Sequence, residues 1–140
     1  MANAVYPFAK ERALVGGINW STGDIRFGLV RTTGGDNEYT YSSTHQFLDS
    51  ISTNAIRAQT TAGVGSKTVA GGVADAADVT FSAVASTLAL QAIVGYEHVT
   101  DASDSKLIFY VDTSTGLPVT PNGGDITVQW DAGANKILAI

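Results

Sequence analysis

A chain of 140 residues suits a single domain with a core of its own. Only 15% of the residues are charged, and eight scattered basic residues against thirteen acidic ones give a net charge of −5, which excludes the basic footprint of a nucleic-acid binder. The absence of cysteine excludes disulfides and thiolate metal sites, and no apolar run approaches the roughly 18 residues of a membrane span.

The first seven residues lack the basic start and apolar stretch of a signal peptide, so synthesis in the cytoplasm is expected. Residues 7–15 form the best helix candidate, with Pro7 suited to the first helical position and Gly16-Gly17 to the stop. Phe8 and Val15 fall one helical repeat apart on one face, with Ala9 beside Phe8. A helix of two turns exists only when packed on something else. Residues 1–17 are therefore expected to be a helical arm, hinged at the double glycine and docking either on its own β domain or on a neighbouring subunit, with Val5, Tyr6 and Phe8 as the candidate contacts. Residues 18–140 are expected to fold as a β domain without it.

Residues 24–31 alternate Ile25, Phe27 and Leu29 against Arg26 and Gly28, the pattern of a half-buried strand. Ser43 and Gln46 have the spacing of a capping box, which predicts a short helix near residues 44–51 carrying Phe47, Leu48 and Ile51. From Asn54 onward the chain changes to Gly-punctuated, β-branched segments. Strands are expected near residues 55–61, 67–70, 79–85, 89–99, 106–111, 125–130 and 136–140. Residues 89–99 are apolar on both faces, as in a central strand covered on both sides. The last run, with Ile137, Leu138 and Ile140, needs a sheet to hold it. The fold class is all-β: a single-domain antiparallel β-sandwich or jelly-roll-like domain, with the two short helices added.

Chemistry is sparse. His45 and His98 cannot make a three-ligand metal site by themselves, and no His-x-x-x-His spacing occurs. No Gly-x-Ser-x-Gly accompanies either histidine, and His45 is expected in the first turn of the capped helix. Asp101 to Ser105 and Asp131 to Asn135 present alternating oxygens, yet neither has the length or closing Glu of an EF-hand, so turn chemistry is the simpler reading. Paired carboxylates could be drawn from Asp101, Asp104, Asp112, Asp125 and Asp131, but all except Asp112 and Asp125, which flank strands, fall in expected turns, and the Gly63 and Gly71 clusters read as turns too. Trp130 belongs to an apolar strand face, whereas Tyr39 and Tyr41, in a polar segment, remain candidates for surface contact. No catalytic, cofactor-binding or metal residue is assigned.

Several stretches carry a resemblance. They are Met1-Ala-Asn-Ala-Val-Tyr-Pro7, Tyr39 to Leu48, Asp78 to Val84, Thr115 to Val128 and Trp130 to Ile137. Together they resemble a group of small proteins encoded among the structural genes of tailed bacteriophages. The resemblance spans nearly the whole chain and is weakest between Thr60 and Ala77. It implies a virion component made in the host cytoplasm, with a capsid decoration (cement) protein as the first expectation. The expected partners are the major capsid protein and further copies of the chain, a trimer being the favoured closed oligomer; no nucleic acid, membrane or cofactor is expected. A tail or host-recognition module binding glycan through exposed aromatics is the alternative, and a small enzyme comes last.

Overall fold

The computed structural model describes residues 3–34, 37–85, 88–134 and 136–139. The ends of the expected arm and terminal strand, Met1-Ala2 and Ile140, lie outside the described residues, as does Asn135 of the Asp131 turn.

The chain begins with β1 (Ala4–Val5) and α1 (Pro7–Leu14), followed by β2 (Asp24–Val30) and β3 (Ile56–Gln59). Then come β4 (Thr68–Ala70), β5 (Val73–Asp75), β6 (Val79–Phe81) and β7 (Ala92–His98). The chain closes with β8 (Lys106–Val111), β9 (Ile126–Val128) and β10 (Leu138–Ala139). Among the described residues these make an antiparallel five-stranded sheet in the order β1-β8-β7-β2-β3, a three-stranded sheet β10-β5-β4, and a β6-β9 ribbon. The all-β, antiparallel expectation therefore holds. β7 is central, flanked by β2 and β8, and six of its seven residues are buried.

Register decides what each face carries. Ile25, Phe27 and Leu29 share a face with Ile93, Gly95 and Phe109, while Arg26, Val30, Val94, Tyr96, Leu107 and Tyr110 share the other. Phe27, Gly95 and Phe109 form one row across three strands. A Cβ on Gly95 would lie 2.3 Å from the Phe109 ring, so the ring occupies the space a side chain would need. Trp130 completes the stack, 4.9 Å from Phe27 and 6.4 Å edge-on from Phe109, with its indole N–H on the Ala77 carbonyl. Ala74, Leu138, Val79 and Phe81 from the smaller sheets join the same core, giving the second layer.

The other face is covered by the connection between β2 and β3. Tyr39, Leu48 and Ile51 are buried there, and Gln46–Phe47 pairs with the edge of β8 through a Phe47–Lys106 bridge and a Leu107 N–H to Gln46 carbonyl bond. That pairing overrides the expected helix. Only a 3-10 turn forms, Leu48–Ser50, and no side chain caps it. A two-turn helix is marginal in isolation, whereas the extended backbone at Phe47 satisfies β8.

The N-terminal segment docks on its own β domain, one of the two expected arrangements. Ala4 and Val5 pair with Tyr110 and Phe109, and the Tyr6 N–H bonds the Ile108 carbonyl. Tyr6 and Ala9 are buried. Pro7 starts α1 as expected, and Gly16, at φ +76°, turns the chain so that the Gly17 N–H meets the Arg12 carbonyl, a Schellman closure. Ala9, not the expected Phe8–Val15 stripe, faces the sheet; Phe8 is half-buried and Val15 exposed. The link after the helix is tied to the sheet by Glu97, whose carboxylate pairs with Lys106 at 3.2 Å and accepts the Asn19 N–H, while Lys106 also donates to the Gly17 carbonyl.

Candidate interaction surface

The five residues expected to meet a partner fall in different places. Tyr6 and Tyr39 are core residues: their hydroxyls are 2.7 Å apart, and Tyr39 reaches His45 Nδ1 at 2.8 Å. Tyr41 and Tyr110 pack against this pair, with ring centroids 5.1 Å (Tyr6–Tyr41) and 5.3 Å (Tyr41–Tyr110) apart. Burial, together with the hydrogen bond to Tyr39, raises the Tyr6 hydroxyl pKa far above its ordinary range, and burial lifts Tyr39 to about 12. The cluster thus joins the N-terminal segment, the β2–β3 connection and β8. It is a fastening inside one chain, which withdraws Tyr6 and Tyr39 from any partner. Val5, Phe8 and Tyr41 are half-buried.

The most exposed large apolar side chains lie elsewhere. Leu14 is 84% exposed, Val15 82% and Val69 53%. Leu14 and Val69 both line a groove of about 400 Å³ formed by residues of α1 and of the β4–β5 hairpin. Ala13, Ile18, Trp20 and Leu138 also line it. Single exposed apolar residues mean little, but two that line one apolar groove, with exposed Val15 next in sequence to Leu14, make it the candidate contact surface. Beside it runs β4, all three residues exposed, the end strand of its sheet among the described residues. Its outer edge offers main-chain donors and acceptors to an added strand. The signal in the sequence was the pair Leu14-Val15 on a helix too polar to need two more core residues.

The remaining sequence candidates are absorbed by structure. Asp101 Oδ1 accepts the Ser103 N–H, and Asp104 Oδ1 accepts the N–H groups of Thr100 and Asp101, which holds the Asp104 carboxyl below the ordinary range. These are turn bonds. His98 Nδ1 comes within 3.4 Å of Ser105 Oγ, but that hydroxyl is buried and donates to the Asp101 carbonyl at 2.6 Å, so the pair is not an activated nucleophile. Among the described residues no three acidic or His side chains are gathered to hold a metal ion. The chain matches no protein-family model, and no curated protein matches it.

Proposed function

We propose that the protein is a structural component of a tailed-bacteriophage virion, a decoration protein that attaches to the shell built by the major capsid protein. The resemblance set out above supports the phage assignment. The observation that carries the attachment is the placement of exposed Leu14 and Val69 at one apolar groove beside an open strand edge. A weakly charged surface suits such contacts, because few ionic groups need desolvation when the shell covers it. Many copies, each making one small contact at the apolar groove, would brace the shell by repetition. The glycan reading has less to rest on, since Tyr39 is buried and Tyr41 is half-buried against Tyr6 and Tyr110.

The test is occupancy of capsids lacking the native protein. Leu14→Lys with Val69→Lys changes exposed positions, so melting should stay within the small range usual for surface substitutions. Occupancy should fall at least about tenfold, the effect of losing roughly 1.4 kcal/mol of contact. Undiminished occupancy by a folded variant would remove the groove from the docking surface, and a handful of copies confined to the tail would replace the shell reading.

A further inference from the structure

A second concavity lies on the opposite side of the five-stranded sheet from Trp130 and differs from the groove in chemistry. It is a cleft of about 280 Å³, and its floor is the cross-strand pair Arg26–Tyr96 with His98 beside it. Gln59 and Thr61 from the end of β3 and the residues after it line one wall, and Leu48, Ile51 and Ile56 form an aliphatic side. The volume is at the small end for a ligand site, which limits the occupant to about one ring.

The charges in the cleft cancel. Arg26 is held bidentately by Asp24, Nε to Oδ1 at 2.9 Å and Nη2 to Oδ2 at 2.7 Å, so its guanidinium is already matched to a carboxylate. Asp101 at the rim adds negative charge, which disfavours an anion. A cation would find Asp24 already paired. What remains is a mixed array of neutral donors and acceptors. The Tyr96 hydroxyl accepts the Gln59 amide N–H at 3.1 Å and keeps its own proton to give, while the Gln59 carbonyl oxygen is an acceptor. Amide, phenol and hydroxyl groups on one side and aliphatic carbon on the other match adjacent hydroxyls and the C–H face of a sugar ring. We infer that this cleft binds a neutral monosaccharide unit, independently of shell attachment, through Tyr96, Gln59 and Thr61 with Ile56 against the ring.

The full-length protein, labelled with nitrogen-15, is titrated with the methyl glycosides of glucose, galactose, rhamnose and N-acetylglucosamine, and separately with inorganic phosphate. At least one glycoside should give saturable amide shifts at Thr60, Thr61, His98 and Ala102, with a dissociation constant of about millimolar order for a ligand of about a dozen heavy atoms. Gln59→Ala should weaken it about tenfold in a protein that still melts cooperatively, while capsid occupancy stays unchanged. A tetrasaccharide containing the preferred sugar at its end tells a chain terminus from a free sugar: tighter binding points to the chain, equal binding to the single unit. Absence of saturable shifts with all four glycosides overturns the inference, as do shifts that Gln59→Ala leaves intact or that phosphate produces at lower concentration. Because capsid occupancy is read on the same variant, failure here is distinct from failure of the shell reading.

Discussion

Gly95→Ala tests the packing on which the central sheet depends. Alanine is the better strand residue in general, by about 0.5–1 kcal/mol, because glycine loses more chain entropy on folding. Local preference alone therefore predicts stabilisation. The tertiary structure predicts the opposite, since the new Cβ would sit 2.3, 2.6 and 2.8 Å from three atoms of the Phe109 ring. Ordinary carbon contacts begin at about 3.5 Å, so the ring must retreat by roughly 1 Å. It has little room: Phe109 is buried, with Phe27 at 6.0 Å and Trp130 packed against its edge. Overpacking of this kind costs about 1–3 kcal/mol, which exceeds the propensity gain over most of that range. Net destabilisation of about 1–2 kcal/mol lowers the melting temperature by roughly 3–8 °C for a chain of this size. Thermal unfolding followed by circular dichroism measures it. In a double-mutant cycle with Phe109→Leu, the two changes together should cost about 1 kcal/mol less than their sum, because the smaller side chain makes room for the methyl. A Gly95→Ala protein that melts higher than wild type, or strict additivity in the cycle, would refute the argument.

Further outcomes follow from the N-terminal segment and the buried tyrosines. A chain starting at Ile18 should fail to fold, because it lacks β1, α1 and the buried Tyr6; Tyr6→Ala by itself should cost about 3–5 kcal/mol. A truncated chain with a cooperative, native-like melt would restore the independent arm. The hydroxyls of Tyr6, Tyr39, Tyr96 and Tyr110 are all raised, chiefly by burial. Their neutral forms stabilise the fold fully below pH of about 10, where unfolded tyrosine ionises, and that contribution is lost as pH rises above it. Tyrosinate absorbance from these residues should therefore appear together with loss of circular dichroism in an alkaline titration, and ionisation of all four in a still-folded protein would contradict it.

The local patterns in the sequence were sufficient for most of the β elements. Alternation in 24–31 and the apolar runs at 89–99 and 106–111 correspond to β2, β7 and β8, the three strands with the most extensive pairing, because period and burial are local consequences of residue order. Pro7 and Gly16 bounded the helix for the same reason. Two-residue β1 and the β5 strand carry too little pattern to be seen, and each exists through its partner, β8 for the first and β4 and β10 for the second.

The candidate surfaces were less legible. Tyr6 and Tyr39 look alike in sequence whether they face a partner or each other, and only the meeting of two segments 33 residues apart buries them. Leu14 and Val69 form one surface because α1 and the β4–β5 hairpin flank the same groove, and Arg26, Gln59 and Tyr96 share a cleft because register sets them on adjacent strands. What the sequence determined by itself was the kind of element each segment forms, since periodicity and turn chemistry act over a few residues. Which side chains are hidden and which remain available was decided by contacts between distant segments. Phe47 shows the physical reason: Ser43 and Gln46 favoured a helix locally, and the hydrogen-bonding needs of the β8 edge drew the backbone into an extended bridge instead.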